Sequence, residues 1–289
     1  MDGKLRGLRE ILAVNSSALV AYSGGVDSTL LAYLAHAVMG ERMKAVTVSS
    51  PLLPPRELER AKTIAASLGF PLEVVEVDEL SLPGFGRNPP DRCYICKRSR
   101  LELLQGMAER EGREAVLEGT NLDDAGMHRP GRRASSELGA LSPLEEARLI
   151  KADIRSLARE LGLPNWDAPS RPCLATRFPY GMELERPLMR RVDTAEEVLE
   201  AMGLREVRVR LETPDAARIE VGSTELAALE EKDNMEGLVK KLKGLGFRLI
   251  LLDLDGYRSG SMDEGGRTRS CRTLYRAEDD YREVGNPGT

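Results

Sequence analysis

Positions 21–29 read AYSGGVDST, two glycines, several hydroxyls and one acid set between the apolar run Ala18-Leu-Val and the apolar-periodic LLAYLAHAVM. A Gly-Gly turn lets the backbone approach a ligand closely, and N–H groups at the start of the following helix point outward without partners at the positive end of its dipole. Such a nest suits phosphate. Ser23, Gly24, Gly25 and Ser28 would line it, Thr29 adds a further hydroxyl, and Asp27 beside an anion makes chemical sense if Mg²⁺ lies between them. The stretch lacks the Gly-Lys-Ser/Thr ending of a Walker A loop, and its glycine spacing is not that of a dinucleotide fingerprint. The plain alternative is a tight strand-to-helix turn capped by Asp27.

Thiols are the second source of chemistry. Cysteines stand at 93, 96, 173 and 271, the first two as a CxxC. In a reducing compartment such a set points to metal binding or catalysis rather than disulfides. Soft thiolates suit iron–sulfur clusters, but a CxxC also serves structural zinc or a redox dithiol, and Cys271 could complete a Cys₄ zinc site. Cys271, in an unpatterned tail, is otherwise read as a bystander.

Charged residues supply candidate anion contacts. Arg208 and Arg210 alternate with Val207 and Val209, so both share one strand face, either forked onto a phosphate or carboxylate or simply solvated. Arg177 and the HRPGRR segment from His128 offer more cations. Asp124 could ligate metal, position ATP or cap a helix. Glu220, expected to face away from Arg218, is a site acid or a surface charge. His128 is read as a surface residue, and Trp166 and Phe178 as packing around Cys173.

These residues need elements to hold them. Strands are expected at 18–22, 45–48, 72–77 and 115–118, with helices from about 28, over 55–68 and over 93–110, which is a parallel sheet covered on both faces. The segment NWDAPSRPCLATRFPYG then reads as an ordered loop. Beyond it come a helix (ERPLMRRVDTAEEVLEAMG), alternating strands (REVRVRL, ARIEVG), one or two helices and the strand RLILLDLD. The expected fold is thus α/β, a doubly wound parallel sheet over 1–184 joined to a smaller α+β domain over 185–260, followed by a mobile tail over 261–289.

Length and composition bound the rest: 289 residues allow two domains of ordinary size, and 41% hydrophobic content is too much for disorder. A net charge of −5 argues against a general nucleic-acid binder. No run reaches membrane-spanning length and the charged N-terminus lacks an apolar leader, so a cytoplasmic protein without membrane or nucleic-acid partners is expected.

SGGVDS resembles the PP-loop motif of the ATP pyrophosphatase superfamily, whose members cleave ATP between the α and β phosphates to adenylate a substrate. On that resemblance Ser23, Gly24, Gly25, Asp27 and Ser28 hold pyrophosphate, while Ser49 and Gly119 lie at the carboxyl ends of strands, where open α/β sheets bind ligands. RCYICK (92–97), GTNLDD (119–124), HRPGRRA (128–134), PCLATRFPYG (172–181), RVR (208–210), ARIE (217–220) and LDLDGYRSG (252–260) together resemble the LarE family, in the family's order from about Arg9 to Gly260.

The resemblance implies an ATP-dependent sulfur transferase acting on pyridinium-3,5-biscarboxylic acid mononucleotide in nickel-pincer cofactor synthesis. In some members the cysteine matching Cys173 is sacrificed. The added pair Cys93 and Cys96 resembles the type in which three cysteines hold a [4Fe–4S] cluster fed by a sulfide donor. It also implies a homo-oligomer, a hexamer. Two rivals remain: a tRNA thiolase, which should carry an RNA-binding module or a broad basic surface, and a non-catalytic ATP-binding protein with structural zinc.

Overall fold

Side-chain alternation along four short strands decides the architecture of the first part of the chain. The computed structural model describes residues 2–126, 130–230, 232–258 and 270–277. His128 and Arg129 of the HRPGRRA segment, and most of the 261–289 tail, lie outside the described residues. The chain forms two units, one of residues 1–85 and 89–171, the other of residues 86–88 and 172–289. The division after Arg171 precedes the boundary expected at 185, so the loop bearing Cys173 belongs to the second unit.

In the N-terminal unit, α1 (Asp2–Ala13), β1 (Ala18–Ala21), α2 (Val26–Met39), β2 (Met43–Ser49), α3 (Pro55–Leu68), β3 (Leu72–Glu76), α4 (Arg92–Arg110) and β4 (Ala115–Leu117) follow in turn. The sheet order is β3-β2-β1-β4, all parallel. Ala18, Val20, Met43, Ala45, Ala115 and Leu117 face one side with α1, α2 and α3 residues, whereas Leu19, Val46 and Val116 face the other with Leu101, Leu104 and Met107 of α4. This is the period-2 alternation of a strand buried on both faces. α2 is apolar almost all round because neighbouring helices cover what the sheet leaves; Leu30, Leu31 and Leu34 are fully buried, each stabilising the fold by roughly 1.5–3 kcal/mol. Short helices α5 (Pro130–Glu137), α6 (Pro143–Glu146) and α7 (Lys151–Glu160) complete the unit.

The C-terminal unit contains α8 (Arg186–Ala201), β5 (Val207–Thr213), β6 (Ala216–Val221), α9 (Leu226–Glu230), α10 (Lys232–Gly244), β7 (Leu249–Asp253) and β8 (Cys271–Arg276), with sheet order β5-β6-β7-β8. β8 corrects the expectation of a mobile tail. Cys271–Arg276 pairs antiparallel with β7, so Cys271 stands on an edge strand in register with Asp253. The polar composition of this strand hid it, because an edge strand half open to water need not alternate in hydrophobicity.

Candidate functional site

β1 ends at Ala21, and the chain turns through Tyr22–Gly25 into α2 at Val26, two residues earlier than expected. Tyr22 roots the turn: its hydroxyl donates to the Ala61 carbonyl at 3.3 Å, Thr47 Oγ1 donates to its own carbonyl at 2.9 Å, and burial pushes its phenol up to about 12. Gly24 has φ +76°, and a Cβ there would fall 2.9 Å from that of Ala61, so glycine is required on both counts. The first helical bond runs from Thr29 N to Gly25 O, leaving the N–H groups ahead of it without a helical partner.

Ser23 and Ser28 fix the turn from inside. Their hydroxyl oxygens lie 3.0 Å apart, Ser28 Oγ accepts from Ser23 N at 3.2 Å and donates to Gly25 O at 3.0 Å. Asp27 is held differently. One carboxylate oxygen pairs with the Lys151 ammonium, and the other, Oδ1, is buried without a hydrogen-bond partner. A carboxylate oxygen in that state, beside a nest of N–H groups, fits a cation that bridges to an anion.

Gly119 follows β4 and lies against the same helix start: a Cβ on it would be 3.1 Å from Ser28 N and 3.3 Å from Ser28 Cα. Gly119→Ala is therefore expected to push the β4 loop off α2, costing about 1–3 kcal/mol of stability and weakening ATP binding about tenfold. Urea denaturation with an ATP titration checks this. Ser49 ends β2, half-buried, its carbonyl accepting from Val77 N at 2.9 Å. Asp124 is buried, and its carboxylate accepts from Asn121 N at 3.1 Å; its neighbour Asp123 accepts from Lys151 N at 2.8 Å.

The CxxC lies on the first turns of α4, where residues three apart share a face; Cys93 is exposed and Cys96 partly buried. Cys96 Sγ is 3.8 Å from Glu79 Oε1, a fully buried carboxylate that also accepts from Arg100 Nε at 2.8 Å. One turn on, Lys97 pairs with the buried Glu118 at 2.6 Å. Among the described residues, no group of three or more His, Cys, Asp or Glu side chains is arranged to hold a metal ion.

In the C-terminal unit, Cys173 caps the short helix Leu174–Arg177. Arg177 reaches back along this turn, donating to the Pro172 carbonyl at 2.9 Å, and forms a two-point ion pair with Glu196 at 2.8 and 3.0 Å. Burial alone would depress Arg177, but Glu196 outweighs it and the guanidinium is raised; Glu196 is lowered in turn against its own desolvation. Arg210 donates to Thr176 O at 2.7 Å and to Glu220 at 2.9 Å.

Arg208 and Arg210 share one strand face as expected, but that face is buried rather than solvated. Arg208 lies over the Tyr257 ring at 4.7 Å. Burial, and for Arg208 next the charge of Arg177, pushes both arginines down, while Glu220 pulls Arg210 the other way. Glu220 does not face away from Arg218. Residues two apart share a strand face, and Arg218 Nη1 pairs with Glu220 and, at 2.7 Å, with Asp253. Phe178 is fully buried, whereas Trp166 belongs to the N-terminal unit and lies under Arg159 at 5.0 Å.

Sequence reasoning missed Lys151, Asn165, Glu196, Arg218 and Asp253. The last lies inside the LDLDGYRSG stretch and Arg218 inside ARIE, so motif membership was a signal; Lys151 and Asn165 carried none, being remote in sequence from the loop they touch. Among the described residues no helix is long and apolar enough to cross a membrane.

The family of NAD synthases matches residues 8–85, which span the Gly-Gly loop. An uncharacterized protein of Synechocystis, slr1717, is 40% identical over 263 residues, covering 91% of this chain and 98% of its own length. Pyridinium-3,5-bisthiocarboxylic acid mononucleotide synthase of Lactiplantibacillus plantarum is 38% identical over 247 residues, 85% of this chain and 88% of its own. A glutamine-hydrolyzing GMP synthase of Pyrococcus furiosus is 32% identical over 177 residues, 57% of this chain and 55% of the matched chain's length, so its similarity is partial.

Proposed function

We propose, from the premise that this chain belongs to the LarE family of ATP-dependent, adenylating sulfur transferases, that it converts a carboxylate of pyridinium-3,5-biscarboxylic acid mononucleotide into a thiocarboxylate during nickel-pincer cofactor synthesis. The observation that carries the reading is Asp27, a carboxylate with one buried, unpartnered oxygen at the mouth of a glycine loop.

In this reading the loop N–H groups and the start of α2 hold the β and γ phosphates of ATP, and Asp27 holds Mg²⁺ against them. A substrate carboxylate oxygen attacks the α phosphorus, the bond to the β-phosphate oxygen breaks, and pyrophosphate leaves with its charge neutralised by the helix dipole. The acyl-adenylate so formed has a good leaving group. Sulfide or thiolate sulfur attacks its carbonyl carbon, the bond to AMP breaks, and the thiocarboxylate remains.

Arg208 and Arg210 are the candidate anchors for the substrate's anionic groups. Both carry a charge that burial disfavours, so an arriving phosphate or carboxylate restores what desolvation removed. Arg177 and Glu220 hold these groups and the Cys173 turn in place.

For sulfur, we assign Cys93, Cys96 and Cys173 to a [4Fe–4S] cluster; two exposed or half-exposed thiols on one helix face suit two of its corners. The cluster would supply sulfide on an iron without a protein ligand, sparing the polypeptide. A second reading rests on the Cys173 turn alone: backbone gripped by Arg177 and Arg210 beside a cationic array favours a thiolate that gives up its own sulfur. A sulfide donor and a homo-oligomeric, hexameric assembly belong to the same family reading.

The test is pyrophosphate release in ATP and Mg²⁺ with and without the pyridinium dicarboxylate. Release is expected to depend on that substrate and not on added tRNA. Equal release with and without it would overturn the assignment.

A further inference from the structure

Asn165 lies in the NWD stretch, which no step above uses, yet it touches the phosphate loop. It is 5% exposed, and its Nδ2 donates to Gly24 O at 2.8 Å and to Thr29 Oγ1 at 3.0 Å. Its orientation follows from chemistry, since the Gly24 carbonyl can only accept and must therefore face the amide nitrogen. The asparagine thus spans the loop, joining its glycine pair to the first turn of α2.

The consequence concerns the peptide between Gly24 and Gly25. A trans peptide is planar, with its C=O and N–H pointing in opposite directions. Anchoring Gly24 O on the buried amide turns the Gly25 N–H away from Asn165. Gly24 has φ +76° and no side chain, so nothing within the residue itself holds this peptide. Without Asn165 a buried carbonyl would lack its donor, and the peptide could rotate to satisfy it elsewhere.

We propose that Asn165 is a positioning residue for ATP, fixing the Gly24–Gly25 peptide so that its N–H serves the terminal phosphates. This rests on the phosphate-loop reading above and adds to it a residue that need touch no ligand. It makes a selective claim: loss of Asn165 weakens ligands that carry the pyrophosphate group and spares AMP, which lacks it.

Titration calorimetry of the full chain and its Asn165→Ala form, with ATP, inorganic pyrophosphate and AMP in Mg²⁺, tests this. Dissociation constants for ATP and pyrophosphate are expected to rise about tenfold, the effect of one buried carbonyl losing its donor, with AMP changed less than about twofold. Should the alanine form fail to fold, Asn165→Ser keeps a small polar group in place but is too short to bridge, and the same titration decides. Unchanged pyrophosphate affinity, or equal weakening of pyrophosphate and AMP, would overturn the proposal. If the parent protein itself bound no pyrophosphate, the phosphate-loop reading would fall and this inference with it.

Discussion

An Asp27→Ala protein is expected to release pyrophosphate on the order of 10²–10³ times more slowly than the parent, the effect of removing one preorganised charge-stabilising group. Asp27 stands on the first turn of α2 with Oδ2 held by Lys151 and Oδ1 buried without a partner. A buried carboxylate oxygen in that state costs free energy unless a ligand satisfies it. Alanine is a good helix residue, so α2 should persist and the loss should be chemical.

Mg²⁺ sharpens the prediction. Pyrophosphate binding to the parent should strengthen with Mg²⁺, whereas the Asp27→Ala protein, lacking the bridge but keeping Lys151, should bind with little dependence on the metal. A competing view, in which Asp27 only caps α2, predicts a small stability loss and an unchanged Mg²⁺ response. The helix start speaks against capping: the N-cap is Gly25, and no side chain bonds to the cap. Full pyrophosphate release from the variant would sink the role assigned to Asp27.

How much of this was legible in the sequence depended on whether a feature is local. The Gly-Gly loop could be read because strand, turn and helix are contiguous, and Gly24, Asp27 and Ser28 act within a few residues of one another. β1 to β4 were readable for the same reason, their apolar runs being bounded by turn residues. Asn165 and Lys151 reach the loop from more than a hundred residues away, and only the fold brings them there. The buried arginines were half legible. Alternation placed Arg208 and Arg210 on one face, but the acids that make the face tolerable to bury came from α8 and β7. β8 was missed because pairing with β7, not its own pattern, makes it a strand.

Cys173→Ala should separate the two halves of the reaction. Adenylation needs the loop of the N-terminal unit and an anchored carboxylate, neither of which requires the thiol; pyrophosphate release should persist while thiocarboxylate formation falls below detection. Loss of both would instead make Cys173 part of substrate binding. The parallel Cys93→Ala/Cys96→Ala protein then distinguishes the sulfur routes, because the two make opposite demands on the same turn of α4. If a cluster presents sulfide, anaerobically purified parent protein should hold about four irons and four labile sulfides per chain, the variant should hold none, and turnover should collapse while adenylation survives. If Cys173 gives its own sulfur, the double variant should still complete one turnover, and the spent chain should be lighter by hydrogen sulfide at that residue. Stoichiometric zinc without iron would make the CxxC structural, and sulfur transfer would then have to rest on Cys173 and the arginines that grip its turn.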